Sequence, residues 1–220
     1  MKKFLTIVFL ISLFIAFVQI SEKRIFAQEE EEKVIYDGGI KINLTAEETW
    51  EAIYWGAKNK DSYSNIYLPY KFGGDWTAYE EKGTIGTKFF LLAFIGYKSA
   101  KEHKTPEKVS IEAILSEESL RITIETYGDK PDFAKDYRVV LRQHGKVIKP
   151  WFVYKPDWAG ITNLLPESPP YKALVQAFFF YPGRVGWGQE SIIDPKAKTI
   201  IILIKDRDES RFEVDFSRCK

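Results

Sequence analysis

Hydrophobic and polar residues alternate with a period of two along most of the chain. Such alternation places apolar side chains on one face of an extended backbone and polar side chains on the other. Many of the apolar positions are β-branched, which is typical of half-buried β-strands. The pattern predicts strands over residues 40–44, 109–115, 120–125, 137–143, 146–154, 171–181, 199–205 and 211–217.

Short polar or glycine-containing segments separate several of these runs. Residues 116–119 (SEES) predict a hairpin turn between the strands on either side. Gly145 follows His144 between two further runs, and glycine supplies the positive φ angle that a tight hairpin needs. The proline-rich connection over residues 155–170 has a length typical of a functional loop or of a crossover between sheets.

Two segments depart from the alternation. Residues 89–95 (FFLLAFI) are continuously apolar, which predicts a central strand covered on both faces. Residues 45–57 predict a helix, because Thr45 and Glu48 have the spacing of a capping box. The residues that share its predicted apolar face are Trp50, Ile53 and Tyr54.

These elements together predict a mainly β protein. We expect an antiparallel β-sandwich, immunoglobulin-like in pattern, with one short N-terminal helix. Residues 34–105 would form a strand–helix–strand region packed on the sandwich, and residues 106–220 would form the sandwich itself.

The stretch IKINLTAEETWEAI, residues 40–53, joins a short strand to a capped helix. It resembles the opening strand and helix of the helix-grip ligand-binding fold. This resemblance implies a carrier of a hydrophobic ligand, with a cavity under the helix. The helix-grip fold also closes its cavity with a long C-terminal helix, whereas this chain is predicted to end in two strands. The sandwich is therefore the fold that we predict, and the carrier is an alternative.

Residues 1–27 have the features of a secretory signal peptide. A basic start precedes an apolar run over residues 4–18, and Ala27 is a small residue at a cleavage point. The apolar run is shorter than the roughly 20 residues of a membrane span. Charges shortly before Ala27 leave an uncleaved, membrane-anchored N-terminal segment as the alternative. Both interpretations predict export to a periplasmic or extracellular space, with residues 28–33 (QEEEEK) as an acidic, disordered mature terminus.

The charge balance argues against nucleic acid as a partner. The formal net charge is +1, and residues 1–27 hold four basic residues and one acidic residue, so the rest of the chain carries −2. Nucleic-acid binding requires clustered lysines and arginines. Cys219 is the only cysteine, so the chain has no internal disulfide, and we expect a frayed free thiol near the C-terminus.

The candidate catalytic groups are few. His103 and His144 are the two histidines, and neither has the spacing of a metal-ligand pair, so the sequence predicts neither a metal site nor a cofactor. Asp75, Glu80 and Glu81 leave a secreted hydrolase with paired carboxylates as an alternative function. The competing interpretation is that residues 79–83 (YEEKG) form a solvated turn that Lys82 closes.

Tryptophans in glycine- or proline-containing loops are the better functional candidates. Exposed aromatic rings stack on sugars or anchor protein partners, and an arginine binds a carboxylate through two hydrogen bonds. The competing interpretation is that the rings cap the ends of the sandwich. The predicted ligand-binding residues are Trp76, Tyr79, Asp75, Trp158, Trp187 and Arg184.

No motif names a reaction, and the sequence favours a binding protein over an enzyme. We predict an exported binding or interaction module with a glycan or protein partner and no nucleic acid. Membrane contact would be made only through an uncleaved N-terminal segment.

Overall fold

The computed structural model describes residues 39–75, 78–182, 185–186, 189–190 and 192–220. They contain four α-helices, which are α1 (Ala46–Lys58), α2 (Tyr63–Tyr67), α3 (Lys88–Lys101) and α4 (Lys108–Ser116). The prediction of a single helix is therefore wrong. Short 3₁₀ turns cover Leu68–Tyr70, Phe133–Asp136 and Phe216–Arg218.

Residues 40–44 belong to none of the described strands, so the strand predicted there is wrong. Helix α1 begins at the predicted capping box. The Thr45 hydroxyl accepts a hydrogen bond from the Glu48 amide, and the Glu48 carboxylate accepts one from the Thr45 amide. The predicted buried face is mostly wrong, because Trp50 and Tyr54 are 60% and 69% exposed, and only Ile53 of that face is buried. The residues of α1 that are buried are Thr49, Ala52, Ile53 and Gly56.

Helix α3 replaces the central strand predicted over residues 89–95. Thr87 caps it, since its hydroxyl accepts a hydrogen bond from the Phe90 amide at 3.1 Å. Phe89 and Leu92 form a hydrophobic cluster with Ala52 and Ile53 of α1. Burial on more than one side explains why the sequence shows no clear helical period.

Glycines set the distance between α1 and α3. A Cβ atom added at Gly56 would lie 1.8 Å from the Ala93 carbonyl oxygen, and one added at Gly96 would lie 2.0 Å from the Ile53 carbonyl oxygen. The two backbones are therefore in direct contact, and any larger residue at either position would force the helices apart. This contact is called the α1–α3 crossing below.

Helix α4 replaces the strand predicted over residues 109–115. Ile111, Ile114 and Leu115 pack against the cluster between α1 and α3, and their spacing is that of one helical face. Residues 116–119 consequently join a helix to a strand, and the predicted hairpin turn is wrong.

The described strands form antiparallel sheets. In chain order they are β1 (Lys71–Gly73), β2 (Lys82–Gly86), β3 (Ser119–Gly128), β4 (Arg138–Gln143), β5 (Lys146–Ile148), β6 (Phe152–Tyr154), β7 (Gly160–Ile161), β8 (Tyr171–Phe180), β9 (Val185–Gly186), β10 (Gln189–Glu190), β11 (Lys198–Lys205) and β12 (Asp208–Asp215). Strand accounts for 34% and helix for 30%, so the mainly β prediction is confirmed. The sandwich and its immunoglobulin-like pattern stay predictions.

The first sheet has the strand order β1-β2-β3-β8-β6, and β7 pairs with the opposite end of β8. The second sheet has the order β12-β11-β4-β5, and β9 and β10 form a separate pair. His144 and Gly145 both have positive φ angles, 48° and 76°, in the tight turn between β4 and β5, as predicted. The strand predicted over residues 146–154 is split, because β5 lies in the second sheet and β6 in the first.

Strand β3 divides the first sheet into a core face and an outer face. Leu120, Ile122 and Ile124 are buried in the main hydrophobic cluster. That cluster also contains Val175 of β8 and Leu141, Ile201 and Leu203 of the second sheet. The alternate residues of β3 point to the outer face, and they are Arg121, Thr123, Glu125 and Tyr127.

Cys219 is part of this core rather than a frayed thiol, so that expectation is wrong. The side chain is buried, and its Sγ atom lies 3.9 Å from the Pro69 carbonyl oxygen. Burial raises the pKa of the thiol to about 12, with a smaller contribution from Asp215.

Candidate functional site

An open cleft of about 570 Å³ lies at one end of the outer face of the first sheet. Strand pairing builds it, because Lys82 of β2 lies opposite Glu125 of β3, and Tyr127 of β3 lies opposite Lys172 of β8. The lining residues are Ala78, Tyr79, Lys82, Glu125, Tyr127, Ile161, Thr162, Asn163 and Lys172.

Lys82 forms the floor of the cleft. Its side chain is only 6% exposed, and its Nζ atom lies 3.7 Å from Glu125 Oε1. Nζ also donates a hydrogen bond of 2.5 Å to the Ala78 carbonyl oxygen and lies 5.3 Å from the centre of the Tyr127 ring. A buried ammonium group is stable only with such partners, because removing its water shell costs several kcal/mol. The expectation that Lys82 closes a solvated turn is therefore wrong.

Two tyrosines form one wall. The Tyr127 hydroxyl donates a hydrogen bond to Glu125, and the Tyr79 hydroxyl donates one to Asn163. The two rings meet edge to face, with centroids 5.4 Å apart. Burial, followed by the Glu125 carboxylate, raises the pKa of Tyr127, so this phenol is neutral and keeps its proton to donate.

The loop between β7 and β8 extends this wall, with Asn163 beside Tyr79. The Thr162 hydroxyl donates a hydrogen bond of 2.8 Å to the Pro169 carbonyl and accepts one from the Leu164 amide. Ser168 donates a hydrogen bond of 2.6 Å to Asp129, which ties the loop to the end of β3. These contacts fix the position of Asn163 at the cleft. The long connection thus contributes side chains to the cleft, and the crossover between sheets lies earlier, between β5 and β6.

The predicted binding residues have different locations. Tyr79 lines the cleft, and the exposed Asp75 belongs to the turn that leads to it, where its amide donates a hydrogen bond to Glu80. Trp158 is exposed elsewhere, with the Lys135 ammonium 5.8 Å from its ring centre. Trp76, Arg184 and Trp187 lie outside the described residues.

The paired carboxylates of the hydrolase alternative have different partners. Glu80 accepts a hydrogen bond from the Asp75 amide at 3.1 Å, whereas Glu81 accepts one from the Tyr137 hydroxyl at 3.3 Å. Burial, followed by the Glu81 charge, raises the pKa of Tyr137. Among the described lining residues, the cleft itself contains a single carboxylate, that of Glu125.

Sequence reasoning missed Lys82, Glu125, Tyr127, Asn163 and Lys172. Glu125 and Tyr127 occupy the polar positions of a correctly predicted strand, so their shared face was readable from the alternation. Lys82 and Lys172 lie beside them only because β3 pairs with strands that are about 45 residues away in the sequence in each direction. The local pattern does not specify such pairing.

The histidines remain turn residues. His103 and His144 have positive φ angles, and His144 Nε2 lies 3.0 Å from Asp194 Oδ2. The Lys196 amide and then His144 hold the pKa of Asp194 below its usual value. Within the part of the chain that the structure describes, there is no group of three or more His, Cys, Asp or Glu residues suited to holding a metal ion.

Comparisons of the chain with protein-family models, with curated proteins and with solved structures find no match. None of the described helices has both the length and the hydrophobicity needed to cross a membrane.

Proposed function

We propose that the protein is an exported binding module whose cleft takes a glycan. One observation carries this proposal: a buried lysine, Lys82, forms the floor of an open cleft that hydrogen-bonding side chains surround. A buried ion pair adds little net stability, because the cost of removing water from the charges offsets their attraction. Stability alone therefore does not explain the pair, and its location at the base of a cleft supports a binding role.

The chemistry of the lining fits a polyhydroxyl ligand. Sugar hydroxyls both donate and accept hydrogen bonds, and the cleft offers amine, carboxylate, amide and phenol groups within one concave site. The Lys82 charge is balanced by Glu125, so the floor of the cleft does not demand a strongly charged ligand. Lys172 is exposed at the rim and points a further donor toward solvent.

Binding is better supported than hydrolysis. Glycoside hydrolysis ordinarily uses two carboxyl groups placed on either side of the bond that is cleaved. Glu125 is engaged by both Lys82 and the Tyr127 hydroxyl, and the other acids near the cleft, Glu80 and Glu81, have partners of their own. These partners leave the hydrolase alternative with less support.

Glycan-array screening followed by calorimetry with the best oligosaccharide tests the proposal. Tyr79→Phe and Asn163→Ala each remove hydrogen-bonding groups at the wall, and we expect about tenfold weaker binding from each, equivalent to about 1.4 kcal/mol. Tyr54→Phe is the matched control, because Tyr54 is exposed on α1 and absent from the cleft lining. Equal affinities for Tyr79→Phe, Asn163→Ala and the control would contradict glycan binding in this cleft.

Export rests on residues 1–27, which lie outside the described residues. Expression in a bacterial host followed by fractionation and N-terminal sequencing tests it. A mature protein that starts at Gln28 would support cleavage, and an intact Met1 in the membrane fraction would support the anchored alternative. A cytoplasmic protein with an intact N-terminus would contradict export.

We further infer that the two sheets pack as a β-sandwich. The support is that core residues of β3 and β8 share one hydrophobic cluster with residues of β4 and β11. In such a sandwich the sheets face each other about 10 Å apart. A crystal structure that shows the sheets side by side would contradict this inference.

A further inference from the structure

A cluster of aromatic side chains lies on the outer face of the first sheet, beyond the cleft. Trp151 stacks on Phe180, with ring centroids 5.7 Å apart and planes 16° apart. Phe152 lies 5.6 Å from both Trp151 and Phe178, measured between ring centroids. These four residues, Trp151, Phe152, Phe178 and Phe180, are called the aromatic cluster below.

The aromatic cluster is not part of the hydrophobic core. Its members belong neither to the main core cluster nor to the partly buried residues packed against it. Trp151 and Phe152 are 48% and 47% exposed, and the neighbouring Tyr154 is 49% exposed. Phe178 and Phe180 are partly exposed beneath them. A contiguous group of exposed and partly exposed aromatic rings is uncommon on the surface of a monomeric protein and is typical of a place where a ligand or partner binds.

The charge next to the aromatic cluster is already paired. The Arg121 guanidinium lies 5.4 Å from the centre of the Phe178 ring, and its Nη2 atom donates hydrogen bonds of 3.0 and 3.2 Å to the Glu117 carboxylate. Among the described residues, the charge that contacts the rings is therefore balanced, which favours an uncharged ligand over an acidic or basic one.

Strand register places the aromatic cluster and the cleft on the same face of one sheet. At the cleft, Lys82 is paired with Glu125, and Glu125 is paired with Leu174. Four residues along the strands, Arg121 is paired with Phe178, and Phe178 is paired with Phe152. Four residues of a strand span about 13 Å. The row between them is polar and consists of Thr84, Thr123, Gln176 and Tyr154.

We propose that the aromatic cluster is a second subsite for a linear, neutral β-1,4-linked polysaccharide whose chain also reaches the cleft. This inference rests on the proposed function. The axial C–H groups of β-linked pyranose rings form apolar faces that stack on exposed aromatic rings, while their equatorial hydroxyls bond to polar side chains. An extended polysaccharide presents both at regular intervals, which matches an aromatic row, a polar row and a hydrogen-bonding cleft along one face.

Chain length provides the test. A β-1,4-linked disaccharide is shorter than the separation between the two subsites, whereas a hexasaccharide spans it. With cello- and chito-oligosaccharides as probes, we expect the wild-type protein to bind the hexasaccharide at least about tenfold more tightly than the disaccharide. Trp151→Ala should remove most of this gain and leave disaccharide binding unchanged, whereas Tyr79→Phe should weaken binding of both lengths.

Matched controls separate the outcomes. Trp50→Ala removes an exposed tryptophan from α1 and should keep the wild-type gain. Phe152→Ala tests the aromatic cluster independently if Trp151→Ala folds poorly. A wild-type gain that survives in both cluster variants overturns the second subsite but leaves glycan binding in the cleft intact. Wild-type protein that binds neither length overturns the second subsite, and a glycan array on which no oligosaccharide binds overturns the proposed function as well. A cluster variant that changes only the molar mass in light scattering overturns the proposal in favour of self-association.

Discussion

The α1–α3 crossing and the outer face of the first sheet differ in where they place large side chains. At the crossing, Gly56 and Gly96 bring two backbones into contact, and the bulky Trp50 and Tyr54 are turned outward. On the outer face of the sheet, rings and charges remain beside a cleft, and one lysine is buried there despite its cost. The crossing is built for packing alone, whereas the sheet face retains polar groups that packing does not require.

The largest effect on stability is expected from a substitution that disrupts the α1–α3 crossing. Gly56→Ala should lower the free energy of unfolding by about 3 kcal/mol, because its Cβ atom would overlap the Ala93 carbonyl oxygen. This outcome opposes helix propensity, which favours alanine over glycine by about 1 kcal/mol. Urea denaturation measures it.

Gly160→Ala is the matched control for the crossing. A Cβ atom there meets only the Lys172 carbonyl oxygen at 3.7 Å, so its stability should remain within about 0.5 kcal/mol of wild type. Equal stabilities for Gly56→Ala and Gly160→Ala would mean that the helices are not in backbone contact.

The next effect concerns the buried charge at the cleft. Lys82→Met should lower the free energy of unfolding by about 2 kcal/mol, because Glu125 and the Ala78 carbonyl lose their shared partner. Lys172→Met removes an exposed lysine from the same cleft and should stay within about 0.5 kcal/mol.

A double variant sharpens this prediction. In Lys82→Met with Glu125→Gln, no unpaired charge remains, so part of the lost stability should return. The interpretation of Lys82 as a buried ion-pair partner would be wrong if the two lysine variants were equally stable.

A smaller effect appears only at alkaline pH. Tyr181 is buried, its hydroxyl oxygen accepts a hydrogen bond from the Lys88 amide at the start of α3, and burial, followed by the Glu117 charge, raises its pKa. The folded state therefore keeps this phenol protonated after the unfolded chain has begun to ionise near pH 10. Stability due to Tyr181 should be complete below that pH and fall by about 1.4 kcal/mol per pH unit above it.

The measurement is the free energy of unfolding between pH 9 and 11. Tyr181→Phe removes the titrating phenol and should show a shallower loss than the wild type. Tyr54→Phe, on the exposed side of α1, should follow the wild-type curve. A wild-type slope in Tyr181→Phe would show that this phenol does not titrate differently in the folded and unfolded states.

The local sequence pattern predicts the strands that have one buried face and one outer face. Strands β3, β4, β8 and β12 follow the alternation closely, because each has a core side and an outer side. Strand β11 departs from it, since Ile201, Ile202 and Leu203 are buried in succession. The strand predicted at helix α3 is wrong, since its long apolar run contains no period that separates a buried strand from a buried helix. In α4 the alternating positions concealed the helical spacing of Ile111, Ile114 and Leu115.

The candidate cleft was only partly predictable. Tyr79 is one of the predicted ligand-binding residues, and the structure places it on the cleft wall with Asn163. The sequence predicts the residues of the aromatic cluster to lie in strands but does not predict that they form an exposed cluster. An alternating pattern indicates which residues share a face of a strand, not which face is covered. Trp151 and Phe152 are brought beside Phe178 only when the chain leaves the second sheet after β5 and joins the edge of the first.

By itself, the sequence determined the mainly β, antiparallel character of the protein, the capped start of α1 and the glycine turn at His144–Gly145. These features depend on residues that are close together in the chain, so local propensity and periodicity specify them. Tertiary structure alone decided which apolar run became α3, which tryptophans face solvent and which lysine is buried at a cleft. Those outcomes depend on pairings between distant segments: β2 with β3, β6 with β8, and glycine against backbone where α1 meets α3.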